Sequence, residues 1–187
     1  IEAEIPYWNR SFQTETDIPN AGDTPLFNTT GIGDVRLKGI YSGFSADMST
    51  GITFGLKLAS GDFTYPNFDR DTQIGTGSTD LLLGGYHVDS LPVDMPFNWF
   101  ANGQMDIPFM TQQNYRPGDE FDAASGVYYN GWDMGKNGKI APLLQLIGSV
   151  REHDTGMNAN PTDSGYQRLL ISPGVEYDVS DVKLYGD

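Results

Sequence analysis

The sequence predicts an all-β protein, built as an antiparallel sheet of about nine or more strands. Three observations predict it. Apolar and polar residues alternate with a period of two along most of the chain, the alternating segments are mostly about 10–12 residues long, and long and short connections follow one another in turn. No stretch keeps the 3.6-residue apolar period of a helix, and no apolar run reaches the ~20 residues that a membrane-spanning helix needs.

The alternation locates the individual strands. In residues 52–58 the even positions are bulky and apolar and the odd positions are small or charged, and residues 97–107 and 167–178 show the same pattern. The common length of about 10–12 residues matches the 9–11 residues that a tilted strand needs to cross a membrane. The predicted strands are 2–11, 33–44, 50–60, 78–88, 96–107, 121–132, 139–150, 166–178 and 182–187.

The connections between these strands indicate a membrane barrel. Long connections at 12–32, 61–77, 108–120 and 151–165 alternate with short ones at 45–49, 89–95, 133–138 and 179–181. Outer-membrane barrels have long extracellular loops and short periplasmic turns. Tight reversals are expected at Asn137-Gly138 and at Ser180-Asp181. We therefore expect an antiparallel, up-and-down transmembrane β-barrel of the outer-membrane type.

Two further features concern the extent of this barrel. Aromatic residues near the strand ends predict girdles at the two membrane interfaces. Residues 1–187 are expected to form a single β-barrel domain whose chain begins and stops within strands. Closed single-chain bacterial barrels take an even number of strands, so we expect further strands beyond both ends. The aromatic residues are Phe44, Tyr86, Phe97, Trp99, Tyr129, Trp132 and Tyr177 toward the short turns, and Tyr7, Trp8, Phe63, Phe109, Phe121 and Tyr166 toward the long loops.

The amino-acid composition limits the classes of ligand and partner that the protein is expected to bind. The formal net charge of -14 makes nucleic acid an improbable ligand, because an acidic surface repels phosphate. The absence of cysteine excludes a disulfide scaffold and a cysteine-based zinc site or nucleophile. Many acidic residues lie in the predicted loops, where we expect solvation, with divalent-cation bridging to anionic lipid as the alternative. These loop residues are Asp17, Asp23, Asp62, Asp69, Asp71, Asp119, Glu120, Glu152, Asp154 and Asp163.

Three glycine-containing segments follow one another between residues 31 and 80. Residues 31–37 read Gly-Ile-Gly-Asp-Val-Arg-Leu, residues 57–62 read Lys-Leu-Ala-Ser-Gly-Asp, and residues 75–80 read Gly-Thr-Gly-Ser-Thr-Asp. In this order they resemble the outer-membrane family described as transporter, or MetA-pathway of phenol degradation, with Ala59 and Ser60 as departures. The resemblance implies an outer-membrane barrel and no catalytic residues. The glycines are expected where a loop re-enters a strand through a positive φ, a bulge or a sharp bend.

Enzyme chemistry finds little support in the sequence, and we expect no enzyme, no cofactor and no metal. There is no nucleophile-elbow motif for a serine hydrolase. His87 and His153 fall near opposite rims of the predicted barrel. Residues 75–80 lack the lysine and the helix of a phosphate loop. An EF-hand loop counted from Asp69 would require glycine at Ile74 and glutamate at Asp80.

The polar positions of the strands are the candidate functional residues. If the aliphatic residues contact lipid, the opposite face lines a lumen, and buried charge there must be paired or hydrated. We expect a bacterial outer-membrane pore for small solutes, hydrophobic or aromatic ones included, in contact with lipid and lipopolysaccharide. The alternatives are a plugged structural or surface-interaction barrel and a soluble, lipocalin-like ligand-binding barrel. The oligomeric state stays open. The expected lumen-lining residues are Arg36, Lys38, Lys57, Asp106, Arg168 and Glu176.

Overall fold

The computed structural model describes residues 1–13, 26–66, 68–92, 94–135, 138–179 and 182–186. The fold is all-β, and within these residues the one helical turn is a 3-10 turn at Arg70–Thr72. The predicted reversals that involve Asn137 and Ser180-Asp181 lie outside the described residues, as do Asp17 and Asp23. The strands are β1 (Glu2–Glu4), β2 (Tyr7–Gln13), β3 (Leu26–Ile32), β4 (Arg36–Tyr41), β5 (Thr50–Lys57), β6 (Ser78–Ser90), β7 (Phe97–Thr111), β8 (Tyr115–Arg116), β9 (Glu120–Tyr129), β10 (Trp132–Asp133), β11 (Lys139–Arg151), β12 (Thr155–Gly156), β13 (Tyr166–Val179) and β14 (Val182–Gly186).

One antiparallel sheet dominates the fold. Nine strands neighbour one another in the order β1-β4-β5-β6-β7-β9-β11-β13-β14, and the short β10 pairs with β11 beside this path. The sheet curls into a half-barrel. Over the described part of the chain, no ladder joins β1 to β14. The predicted all-β, antiparallel architecture is thus confirmed. In the same part of the chain, no helix has the length and hydropathy of a membrane span.

The first hairpin differs from its prediction. The strand predicted for residues 2–11 breaks at Ile5 and Pro6 into β1 and β2, and β3 occupies residues 26–32, where a loop was expected. β3 escaped prediction because Asn28, Thr29 and Thr30 interrupt its apolar alternation, although threonine favours strands. Two small ladders lie outside the main sheet, β2 with β3 and β8 with β12. The long connections therefore carry more structure than the sequence indicated.

The sheet accommodates Pro108 of β7 at an irregularity in the pairing of β6 with β7. The pairing of β6 with β7 is irregular between Thr79 and Asp80, and Asp80 lies opposite Pro108. Proline cannot donate a ladder hydrogen bond, so it is tolerated at a bulge. Beyond the irregularity the register is regular, and Asp106 pairs with Leu82, so Asp80 and Asp106 lie on the same face of the sheet.

The two faces of the sheet have inverted polarity compared with a soluble β-protein. In the described residues the buried apolar side chains are few: Ile74, Leu82, Tyr115 and Ala141. The buried polar or charged ones are Thr29, Asp34, Lys57, Gln73, Ser78, Asp80, Asp106, Gln145, Ser149, Asp154 and Ser164. Of these, Asp34, Gln73, Asp154 and Ser164 lie in connections. On the strands, large apolar side chains alternate with the inward polar ones and are exposed. These include Leu37, Ile52, Phe54, Leu56, Leu81, Leu83, Met105, Phe121, Val127, Leu144, Leu146, Val150, Leu169, Ile171 and Val175.

Candidate functional site: the charged concave face

The concave face of the half-barrel is rich in charge. A cavity of about 460 Å³ touches side chains from β1 through β11, which a flat sheet would not allow. All six residues predicted from the sequence to line a lumen lie on this face, opposite the exposed aliphatic residues. Arg36, Lys57 and Asp106 border the cavity itself. That the concave face encloses a water-filled lumen stays a prediction.

Two ion pairs lie at the centre of this face. The Lys57 ammonium contacts the Asp80 carboxylate, the two residues pair across β5 and β6, and they are only 7% and 2% exposed. Arg36 Nη2 lies 3.1 Å from Asp106 Oδ2. The Ser78 hydroxyl donates to Asp80 Oδ1 at 2.6 Å, and Gln104 Nε2 donates to Asp106 Oδ1 at 2.7 Å. Buried carboxylates therefore receive a cation and a further donor each, which offsets their desolvation.

Lys38 and Arg168 lie away from this centre. Near the sheet edge, Lys38 Nζ contacts Glu4 at 2.6 Å and Glu2 at 3.0 Å. On β13, Arg168 Nη2 donates to Ser149 Oγ at 3.1 Å, and the Ser149 hydroxyl in turn donates to Asp122. The sequence analysis missed Asp80 and Asp122, although their alternation with Leu81 and Phe121 carries the same signal.

Toward the long connections, charges of like sign group by strand around the concave face. There, cationic side chains occupy β4 and β5, acidic ones follow on β6, β7 and β9, and cationic ones return on β11 and β13. Toward the short connections the grouping ends, because the inward residues of β13 include Glu176 and Asp178. Opposite charges therefore meet at the sector boundaries. In β4, β5, β7, β9, β11 and β13 every charged side chain of the described residues is inward, and Asp89, near the end of β6, is an outward exception. The sectors are Arg36, Lys38 and Lys57; Asp80, Asp106, Glu120 and Asp122; and Arg151 and Arg168.

Glu176 belongs to a second cavity, toward the short connections. This cavity measures about 540 Å³, and the structure does not bring Glu176 together with the other five predicted residues. Its walls combine aromatic rings with a few charges, so the concave face changes from ionic to aromatic along the strands. Prominent lining residues are Tyr86, Phe100, Tyr128, Lys139, Glu176 and Tyr185.

The three glycine-containing segments converge on one buried carboxylate. Asp34, which is 7% exposed, accepts a hydrogen bond from the Gly61 amide at 2.9 Å, and others from the Thr76 amide at 2.8 Å and the Thr76 hydroxyl at 2.6 Å. We call Asp34, Gly61, Gly75 and Thr76 the Asp34 cluster. It joins the start of β4 to both ends of residues 58–77, so the motifs read from the sequence have a common structural role.

Close packing, and not a positive φ, explains most of these glycines. A Cβ on Gly75 would overlap the Gly61 backbone, and one on Gly33 would lie 2.6 Å from Trp8 Nε1. Only Gly77 of this group has a positive φ, at 64°. Of the expected positive φ, bulge or sharp bend, a positive φ is not found at Gly31, Gly33 or Gly75, whereas Gly75 does lie in a bend. Gly33 and Gly75 are needed for space, because a Cβ there would overlap neighbouring atoms.

A second buried carboxylate organises the other long connections. Asp154, which is 0% exposed, accepts from the Gly118 amide at 2.8 Å and from Arg151 Nη2 at 2.6 Å, and it also accepts from the Tyr115 hydroxyl. Its own amide donates to Ser164 Oγ at 2.9 Å. We call these five residues the Asp154 cluster. Burial, and next the hydrogen bond to Asp154, raises the pKa of the Tyr115 phenol well above its usual value.

Tyr115→Phe should loosen the Asp154 cluster by about 1–3 kcal/mol, because a buried carboxylate loses a donor. Hydrogen exchange of residues 112–119 and 152–165 would measure the local free energy of opening. The raised pKa means that the Tyr115 contribution is complete below pH ~10 and is lost as pH rises through the folded-state pKa. Tyr86→Phe is the control, because its exposed hydroxyl donates only to a turn carbonyl. Equal exchange in the two variants would contradict the assignment.

Comparisons with protein-family models and with curated proteins find no match to this chain. Within the described residues, no group of three or more histidine, aspartate or glutamate side chains is placed to hold a metal ion. The fold and the site define the class: an antiparallel half-barrel that is apolar outside and ionic inside. The resemblance of the glycine segments to an outer-membrane family stays a prediction.

Proposed function

We propose that this protein is a bacterial outer-membrane β-barrel whose concave face lines an aqueous path for small solutes. The observation that carries the proposal is the inverted polarity of the sheet. Leu146 and Ile171 are 51% and 71% exposed in the middle of their strands, whereas Lys57 and Asp80 are nearly inaccessible. Exposed aliphatic residues on strand after strand are favourable against hydrocarbon and unfavourable against water. No enzymatic step is proposed.

The girdle arrangement also supports this proposal. Tyr41, Phe44 and Trp132 are exposed toward the short connections, and Tyr7 and Phe109 are exposed toward the long ones. Aromatic residues with a polar edge favour the level of lipid headgroups. An apolar band between two aromatic bands is the outer surface expected of a barrel in contact with lipid and lipopolysaccharide.

A plugged barrel that serves a structural or surface role is the second candidate. The observation that favours it is that residues 70, 71 and 73–76 of a long connection border the same cavity as Arg36 and Asp106. A soluble, lipocalin-like barrel has less support, because such a barrel places apolar residues inside to hold its ligand, and here the inward positions next to the long connections are ionic.

Conductance distinguishes the two membrane functions. We expect the refolded protein to require detergent, to change gel mobility on heating, and to conduct ions in planar bilayers. Folded, heat-modifiable protein without current would favour the plugged barrel, and protein that stays monodisperse without detergent would favour the soluble barrel.

Arg36→Gln and Arg168→Gln should each raise the permeability of cations relative to anions. Removal of one lining cation changes the local potential by up to ~1 kcal/mol, or about fivefold in the permeability ratio. Reversal potentials in a salt gradient measure this ratio. Arg116→Gln is the matched control, because Arg116 pairs with Asp119 at 2.5 Å in a long connection. Unchanged ratios in both interior variants would refute their placement in the path.

A further inference from the structure

Residues 58–77 are anchored at both ends by one side chain. Asp34 accepts the Gly61 amide near the start of the segment and the Thr76 amide and hydroxyl near its end. The backbones of Gly61 and Gly75 approach so closely that neither position has space for a Cβ. The Gly75 amide also donates to the Asp62 carbonyl at 2.7 Å. The described parts of the segment, residues 58–66 and 68–77, are therefore joined to each other at their base, and we call these residues the Asp34 loop.

The middle of the Asp34 loop is fixed against the first hairpin. Arg10 Nη1 donates to the carbonyls of Thr72 and Gln73, each at 2.7 Å. The Gln73 side chain bonds to the Tyr65 backbone: Gln73 Oε1 accepts from the Tyr65 amide at 2.9 Å, and Gln73 Nε2 donates to the Tyr65 carbonyl at 3.0 Å. Ile74 is buried, although it belongs to a connection. These contacts hold residues 65, 72 and 73 against one another and against β2.

The Asp34 loop is also joined to the Asp154 cluster. The Arg70 guanidinium lies between two rings, 4.6 Å from the centroid of Phe63 and 4.3 Å from that of Tyr115. Its Nη2 donates to the Thr76 carbonyl at 2.7 Å. The long connection anchored by Asp34 and those anchored by Asp154 are thus in contact through Arg70 and Tyr115, and together we call them the cover.

This cover borders the ionic cavity. Arg70, Gln73 and Ile74 of the loop line it together with Asp106 and Arg151 of the sheet. We propose that the Asp34 loop is a fixed constriction that sets the largest solute able to enter, and that Asp34 is the residue that positions it. The inference rests on the proposed function and adds to it the element that determines size selectivity. The loop acts through its rigid position, without opening and closing.

Asp34→Ala tests this inference, with Asp62→Ala as the matched control. Asp62 belongs to the same loop, but it is exposed and its carboxylate bonds to the amide and hydroxyl of Thr64. We expect Asp34→Ala to raise single-channel conductance and to admit larger uncharged sugars in liposome swelling. Tryptic cleavage after Arg70 should accelerate by about tenfold or more, because several hydrogen bonds to a charged group are lost. Asp62→Ala should match the wild type in all three measurements.

The outcomes separate this inference from the proposed function. A silent wild type with a conducting Asp34→Ala variant supports the constriction and makes the wild type a plugged barrel. Faster cleavage of Asp34→Ala with unchanged conductance and sugar limit overturns the constriction and leaves the pore intact. Silence of both folded proteins overturns both. If Asp34→Ala does not fold, Arg10→Met provides the test, since it leaves the Asp34 cluster intact and removes the hydrogen bonds to Thr72 and Gln73 together with the contact of Arg10 with the Trp8 ring. It should change the same quantities in the same direction, and no change would overturn the inference.

Discussion

Lys57→Met should destabilise the protein by about 3–5 kcal/mol, the cost of leaving one partner of a buried ion pair without the other. The reason is the position of Asp80, which is 2% exposed and contacts the Lys57 ammonium on the neighbouring strand. Without that cation only the Ser78 hydroxyl remains as a close donor to Asp80 among the described contacts. The free energy of unfolding in detergent, from urea titration with fluorescence detection, is the measurement.

Lys38→Met is the matched control for this change. Lys38 also contacts two carboxylates, but Glu2 and Glu4 remain substantially exposed, so the loss should be about 0–1 kcal/mol. The double variant Lys57→Met/Asp80→Leu removes both charges and should recover most of the stability lost in the single variant. Equal losses for Lys57→Met and Lys38→Met would show that water screens the interior pair as well as the edge pair.

Ile171→Arg should cost about 2–4 kcal/mol in a lipid bilayer, because it places a cation near the middle of the outward face. Ile171 is 71% exposed, so in a soluble protein the same substitution would be neutral or favourable. The expected effect therefore differs between membrane and aqueous surroundings. Unfolding titrations from vesicles of defined lipid composition measure it.

The neighbouring residue supplies the control. Leucine and isoleucine are isomers, so Leu170 is similar to Ile171 in size and hydrophobicity. Leu170 lies opposite Ile147 and therefore faces the concave side of the sheet, as Arg168 does. Leu170→Arg should change stability by less than about 1 kcal/mol, since an arginine there extends into an ionic, hydrated space. If both arginine variants are equally stable in vesicles, the outward face does not contact hydrocarbon and the proposed membrane location is wrong.

The sequence predicted most of the sheet, because a period of two is a direct consequence of strand geometry. Strands β5, β6, β7, β11 and β13 lie within a few residues of their predicted bounds. The first hairpin was harder to predict, since the break at Pro6 and the polar strand β3 depend on contacts such as the 2.9 Å hydrogen bond from Gly33 to the Pro6 carbonyl. Such contacts join residues that alternation does not relate.

The site was predicted less completely. Parity along a strand identified Arg36, Lys57 and Asp106 as residues of one face, and register then paired Lys57 with Asp80. Local pattern could not show that Asp34 and Asp154 are buried, because Asp34 was placed at the start of the predicted strand 33–44 and Asp154 in a long loop, whereas the structure begins β4 at Arg36. Their burial depends on amides from distant segments, so composition indicated only solvated acidic loops.

The Asp34 cluster has a consequence for the order of folding. Its carboxylate bonds to residues 27 and 42 positions further along the chain, so these bonds can form only after β4, β5 and β6 have reached their final register. A chain with a slipped hairpin would leave the aspartate without its amide donors and the long connection loose and open to proteases. The hydrogen bonds of Asp34 thus stabilise only the chain whose strands have the native register.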